Sequence, residues 1–455
     1  MTAAGDSDSG AIRRTSSRQG LRRIVAYALL LVVPLLAAAV WQPASEGVLY
    51  QWGRNFALLG FMLLVLQPLL AARIKWIESP FGLDTVIRFH KQMALFALLL
   101  LLLHPLLLAA GGSGWRLLIG LDLPWYIYAG KVALLLLVAN VILSHYQRKL
   151  GLKFETWRRL HDIVGPALIV LVFVHSWTAG HDLNLMLLKL LWAGLLLLAS
   201  LLFLYHRFLR PRQLKRRAWK VSEVRKECED VWSVKLAPPD SHPPYDYLPG
   251  QFHFITFLRG RNLPEEEHHW TISSSPAQGS AVSSTIKALG DFTATIGDTR
   301  PGDRAAVHGA FGRFSYLLHP GERDLVFLAG GIGITPLMSM LRHMRDSRDT
   351  RKVLLLYANR DASQVVFKEE LARIEESRFP ALKVVHVISS APADWPGERG
   401  RLDQEKIERL CGPDLSPKTF YVCGPPAMSK AVIAALKELG AADGQIRQEI
   451  FSFLE

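Results

Sequence analysis

Residues 88–107 read RFHKQMALFALLLLLLHPLL, and residues 158–177 read RRLHDIVGPALIVLVFVHSW. Each run carries two histidines, His90 and His104 in the first, His161 and His175 in the second, with the same spacing of fourteen residues. At about 3.6 residues per turn this is close to four whole turns, so both imidazoles lie on one helix face, about 21 Å apart along the axis. A bilayer core is about 30 Å thick, and each helix therefore offers one imidazole to each leaflet. Ionisable side chains are expensive there and persist where the bundle interior uses them. Two such helices are suited to grip two stacked haems. A single histidine in this setting is as readily a hydrogen-bonded packing residue, and a proton relay or transporter would also use such groups; the matched spacing favours the haem reading.

The chain has 455 residues, room for about three domains, and half of them are hydrophobic. The apolar residues concentrate between 23 and 209. The net charge of +13 gathers beside the apolar segments rather than on one soluble helix, so it reads as a topology signal and not as a nucleic-acid surface. Cys228, Cys411 and Cys423 are far apart in sequence. They suggest neither a disulfide framework nor a zinc or iron–sulfur site.

Residues 1–22 read as a disordered, basic cytoplasmic tail; the apolar run after Arg22 and Arg23 is long for a signal peptide and is followed by others, so it reads as a retained helix. Six spans are expected at roughly 23–41, 53–72, 87–110, 125–146, 160–178 and 184–207, within a transmembrane domain of residues 23–211. Lysine and arginine crowd the tail, the second connection (Arg73, Lys75, Arg88), the fourth (Arg148, Lys149, Lys153, Arg158, Arg159) and the exit (Arg210 to Arg217). The positive-inside rule then sets both termini in the cytoplasm of a cell with this multi-pass protein in its cytoplasmic membrane. The third and fifth helices run parallel, pairing His90 with His161 near the inner face and His104 with His175 near the outer face. His145, His181 and His206 fall at helix ends or in a loop and need no special role.

Beyond residue 212 the composition becomes that of a globular protein. VSEVRKECEDVWSVKLAP and YLPGQFHFITFL alternate like strands of a small antiparallel β-barrel, expected over 212–320. From Asp324 the order of strand, glycine turn and helix repeats, which predicts a doubly wound α/β domain over 321–455. In DLVFLAGGIGITPLMSMLRHM an apolar strand enters Gly330, Gly331, Gly333, Thr335 and Pro336, and a helix begins there. Bare backbone and a helix N-terminus together suit a pyrophosphate. HHWTISSSP (268–276) sets an imidazole, an aromatic ring and hydroxyls along one strand, and Gly290 to Thr293 form a turn with backbone donors for a diphosphate.

PGQF (249–252), HHWTISS, KALGDFT, GGIGITP and YVCGPPAM (421–428) occur in the order of the ferredoxin-NADP reductase module. Joined to the paired histidines, the chain from about residue 50 to its end resembles the ferric reductase and NADPH oxidase superfamily. The resemblance implies FAD in the barrel, NADPH or NADH in the α/β domain and two haem b groups held by His90, His104, His161 and His175. It implies that His268 approaches the FAD diphosphate, Trp270 the flavin and Thr271 its edge, with Ser273 nearby and with Gly290 and Thr293 at the diphosphate. It further implies that Cys423, followed by Gly424 and Pro425, sits by the nicotinamide, and that Phe451 covers the flavin. HHWT departs from the His-Pro-Phe-Thr of the oxidases, and Gly309-Ala310-Phe311-Gly312 from their Gly-Pro-Phe-Gly. No calcium loop is present. Arg360 follows the second α/β strand, where it suits the 2′-phosphate of NADPH, while the adjacent Asp361 suits ribose hydroxyls.

The expected activity is outward electron transfer from cytoplasmic NAD(P)H through FAD and both haems. The acceptor is O2, giving superoxide, or a ferric chelate; Arg54 would favour an anion and His181 with Asp182 a metal. A haem-containing sensor or partner subunit without turnover is the reading from another class. Besides the lipid bilayer and the small acceptor, neither nucleic acid nor an obligatory protein partner is expected.

Overall fold

The computed structural model describes residues 4–41, 47–240 and 244–450, with backbone alone at 4–17, 41 and 181–182. The chain divides into two compact units, Ser17–Arg210 and the residues from Pro211 onward.

Among the described residues six helices are long and apolar enough to cross a membrane, all within the first unit except the end of the last: α1 (Arg18–Val40), α2 (Val48–Ala71), α3 (Leu83–Ser113), α4 (Trp125–Tyr146), α5 (Phe154–Ala179) and α6 (Met186–Arg216). The helix containing α1 begins at Ala4. It therefore takes in most of the stretch expected as a disordered tail. Its first proline is Pro34, and once an apolar segment has nucleated a helix, adding polar residues to its end costs little.

Small residues set the spacing between these helices. A Cβ on Gly60 would stand 2.6 Å from the Leu101 side chain, and one on Gly53 would stand 3.0 Å from Leu108, so α2 lies close along α3. A Cβ on Gly130 of α4 would reach within 2.7 Å of the His175 ring on α5. Phe61 of α2 stacks on Trp192 of α6 at 4.7 Å, and the Trp192 indole donates to Ser176 of α5 at 3.2 Å. That aromatic pair ties three helices into one core.

The second unit begins with six antiparallel strands: β1 (Trp219–Cys228), β2 (Val231–Ala237), β3 (Phe252–Leu258), β4 (Glu267–Thr271), β5 (Val282–Lys287) and β6 (Arg304–Phe311), in the order β4-β3-β6-β1-β2-β5. A bridge between Ile272, just past β4, and Ser284 of β5 joins the two edges. Closure removes the free strand edges. Its core gathers Trp219, Val221, Ile255, Phe257, Ile272 and Ile286.

A parallel sheet follows. Its strands are β7 (Asp324–Gly330), β8 (Lys352–Asn359), β9 (Ala381–Ile388), β10 (Glu398–Arg399), β11 (Lys418–Cys423) and β12 (Ile446–Glu449), in the order β10-β9-β8-β7-β11-β12. Helices α7 (Ile334–Asp346), α8 (Lys368–Glu376), α9 (Gln404–Cys411) and α10 (Pro426–Glu438) connect them. After its first residue β7 is buried throughout, as a central parallel strand covered on both faces must be. The chain grows outward from β7 through β8 and β9, then returns to β11 on its other side. The order reverses between β7 and β11.

One cluster fastens barrel to parallel sheet. Arg342 of α7 donates to the Ser273 carbonyl at 2.6 Å and to both carboxylate oxygens of Glu370 at 2.9 and 2.6 Å, while Ser339 donates to the Ser274 carbonyl at 2.7 Å. Burial raises the Glu370 carboxyl pKa, but Arg342, Arg345 and Arg225 outweigh it and leave the group below its ordinary value of 4.5. Removing one partner strands the other charge. Arg342→Ala should destabilise this unit by about 3 kcal/mol in thermal unfolding. The contribution of Glu370 is whole above pH 4.5 and fades as pH falls through its lowered folded value, so the melting difference between wild type and Glu370→Gln should shrink on acidification.

Candidate functional site

The third and fifth helices bring their histidines together in two pairs. The rings of His90 and His161 have centres 6.3 Å apart with planes at 74°, and those of His104 and His175 are 6.5 Å apart at 69°. Like ends of α3 and α5 meet, so the two helices run parallel. An iron bound by two imidazole nitrogens at about 2.0 Å, each nitrogen about 1.1 Å from its ring centre, would hold the centres about 6.2 Å apart. The spacing of both pairs fits that group.

The hydrogen bonds decide which nitrogen is available. His104 Nδ1 lies 2.9 Å from the Gly53 carbonyl, His175 Nδ1 2.7 Å from the Tyr126 carbonyl, and His161 Nδ1 3.1 Å from Asn140 Oδ1. An oxygen of this kind only accepts, so Nδ1 carries the proton and Nε2 keeps its lone pair. A metal-ligating imidazole needs that tautomer. Trp157 stacks on His161 at 5.4 Å and donates to Ser144 at 3.1 Å. Neither Asn140 nor Trp157 was singled out from the sequence. The available signals were an amide within the apolar run LLLLVANVILSHY and an aromatic residue one helical turn before His161. His145 rests on Tyr146, and His206 lies beside Tyr205 and Arg210. The side chains of His181 and Asp182 lie outside the described residues.

In the second unit the reversal between β7 and β11 sets two turns side by side. Cys423 pairs in register with Ala329 of β7 and Glu449 of β12. A Cβ on Gly330 would strike Met428 and Pro425, and one on Gly333 would strike the Cys423 carbonyl. Gly331 has φ +52°, in the left-handed region that favours glycine. The Thr335 hydroxyl donates to the Ile332 carbonyl at 3.1 Å, which closes the turn from which α7 and Pro336 start. Gly424 lies with its backbone against Gly330, and Pro425 leads into α10. The two turns meet at the strand ends beside the α7 N-terminus, the position at which a reversal of strand order is expected to form a crevice. Cys423 is fully buried, and burial raises its thiol well above the ordinary range, so the sulfur is neutral and fit for contact rather than nucleophilic attack. Phe451 lies outside the described residues. Arg360 is exposed just past β8, and the Asp361 carboxylate accepts from Ser363 N at 2.9 Å and Oγ at 2.8 Å.

On the barrel, His268 and Trp270 share a face of β4, where both contact Phe292: His268 at 4.3 Å, Trp270 stacked at 6.0 Å. Thr271, on the other face, is buried opposite Phe252. The Ser273 hydroxyl is turned into the sheet, donating to the Ser283 carbonyl at 3.2 Å and meeting Thr285 at 3.0 Å. Thr293 Oγ1 accepts from both Leu289 N and Gly290 N at 2.9 Å. The Gly290 N–H, expected at a diphosphate, is here taken by a hydroxyl of its own turn. Buried Arg259 holds the following segment through the Thr295 carbonyl at 2.6 Å.

Residues 56–172 match the family model of the ferric reductase like transmembrane component, and residues 327–433 match that of the oxidoreductase NAD-binding domain. The first range contains His90, His104 and His161, the second the glycine turn, Arg360 and Cys423. NADH–cytochrome b5 reductase 1 of Arabidopsis thaliana is 37% identical over 145 residues, which are 31% of this chain and 51% of that protein. The glycine betaine monooxygenase reductase subunit of Chromohalobacter salexigens is 30% identical over 50% of this chain and 62% of its own length. The flavohemoprotein of Bordetella pertussis is 29% identical over 52% and 60%. The chain thus spans between half and two thirds of the length of these relatives. One polypeptide thus carries a match to a ferric reductase like transmembrane component followed by a match to an oxidoreductase NAD-binding domain, a combination that supports a likeness to the ferric reductase and NADPH oxidase-like superfamily.

Proposed function

We propose that this protein is a membrane oxidoreductase that carries electrons from NADPH on the cytoplasmic side, through FAD and two bis-histidine haem b groups, to an acceptor outside. The observation that carries the reading is the pair of imidazole couples at 6.3 and 6.5 Å, with Nε2 left free in three of the four rings. When bound, FAD takes up a hydride and releases electrons singly, and the haems relay them one at a time.

The chain's own residues bind and orient. His90 and His161 would hold one haem and His104 and His175 the other, which would leave an acceptor no open position on either iron. The Gly330–Pro336 turn and the α7 N-terminus would receive the dinucleotide pyrophosphate, and the Cys423-Gly424-Pro425 turn would sit by the nicotinamide. His268 serves the FAD diphosphate and Trp270 the flavin ring. Asp361 is committed to Ser363, whose backbone and hydroxyl donors lower its carboxyl pKa. The Arg360 guanidinium is thus left as the charge beside the ribose, which supports NADPH over NADH. The basic connections support the reductase unit on the cytoplasmic side. Dioxygen is the favoured acceptor, with a ferric chelate as the second reading. A sensor without turnover would have no use for a hydride-donor crevice.

Purified protein should show a dithionite-reducible b-type spectrum with two haems per chain, and His104→Ala or His175→Ala should halve the pyridine-haemochrome content; unchanged content would sink the pairing. Arg360→Ala should raise KM for NADPH by about 10- to 100-fold, the loss of one or two charge-assisted hydrogen bonds, and leave KM for NADH within about threefold. With FAD supplied, NADPH-driven reduction of cytochrome c should be abolished by superoxide dismutase if oxygen is the acceptor. Rapid anaerobic reduction of a ferric chelate with little aerobic turnover would instead establish a metal reductase.

A further inference from the structure

The histidines are anchored unequally. His104 and His175 bond to main-chain carbonyls, at Gly53 and Tyr126, which no side-chain substitution removes. His161 bonds to a side chain, Asn140 Oδ1 at 3.1 Å. Asn140 is itself held in a closed circuit. Its main-chain carbonyl accepts the Ser144 hydroxyl at 2.7 Å, Ser144 Oγ accepts the Trp157 indole N–H at 3.1 Å, and Trp157 stacks on the His161 ring at 5.4 Å with planes 29° apart. The ring is thereby gripped by its edge and by its face. An amide in the apolar run of α4 is costly unless it is bonded, and the one bond shown for its side chain goes to this histidine.

We propose that Asn140 is a positioning residue that sets the donor strength of His161, and through it the reduction potential of the haem held by His90 and His161, independently of the other haem. The inference rests on the bis-histidine reading above. A hydrogen bond from Nδ1–H to an oxygen makes Nε2 more basic, which favours ferric over ferrous iron. Deleting the acceptor raises the potential, and replacing it by a carboxylate lowers it. The His104–His175 pair, anchored to backbone, stays where it was. This gives the chain a means of separating the potentials of two chemically identical centres.

The test is a spectroelectrochemical titration of full-length Asn140→Leu and Asn140→Asp proteins in detergent, with haem content measured by pyridine haemochrome. One of two midpoint potentials should shift upward in the leucine variant and downward in the aspartate variant, with the other unmoved. The moving wave should be the one absent from His90→Ala. Equal movement of both waves, movement of neither, or shifts of the same sign in the two variants would overturn the proposal. Should Asn140→Leu lose a haem, the direction of the shift in Asn140→Asp decides. A purely structural role would lower haem content without producing shifts of opposite sign. Wild-type protein with no haem signal would overturn the bis-histidine reading itself, and this inference with it.

Discussion

An imidazole inside a membrane bundle needs an oxygen for its Nδ1–H, and much of the first unit is arranged to supply one. Gly53 and Gly60 let α2 approach α3 closely enough for the Gly53 carbonyl to reach His104. Gly130 lets α4 approach α5, and the Tyr126 carbonyl, one helical turn earlier, reaches His175. In a helix that carbonyl would otherwise serve only its own ladder. The close approach of backbones and the polar contact are therefore one feature: small residues bring the helices near, and proximity lets main-chain oxygens fix the tautomer.

The second unit solves a similar problem with glycine turns. The turn after β7 and the turn after β11 are adjacent because the strand order reverses there, and they pack backbone against backbone because Gly330, Gly333 and Gly424 carry no side chain. The open side of the turn is at Gly331, where a Cβ would meet nothing within 4 Å. Stability of this arrangement is supplied elsewhere, by Arg342, Ser339 and Glu370 clasping the barrel segment Ser273–Ser274. That division keeps strongly bonded groups out of the crevice.

Much of this was legible beforehand. The six spans follow from apolar runs of bilayer length, and the parallel course of α3 and α5 follows from the single span between them together with the positions of the basic connections. The face shared by His268 and Trp270 follows from strand alternation. The partners of these groups were not legible. Asn140 sits 21 positions from His161 and Gly53 sits 51 from His104, and no local periodicity links them. Ser273 and Gly290 show the converse. Hydroxyl and glycine patterns that suit a cofactor also suit their own turns and sheets, and here Thr285 and Thr293 take those groups. The first helix also runs further toward the N-terminus than composition suggests, because composition reports solubility whereas helix propagation depends on what the segment is attached to.

The sequence by itself determined which residues face one another along each element: periods of 3.6 and 2 are local properties, so the two-histidine faces, the alternating barrel strands and the strand–turn–helix at Gly330 could be read directly. Only the tertiary structure decided what each side chain touches across elements. Hydrogen-bond acceptors for imidazoles, the burial that keeps Cys423 neutral and the clasp at Arg342 depend on distances between segments far apart in the chain, and those distances are set by packing rather than by order in sequence.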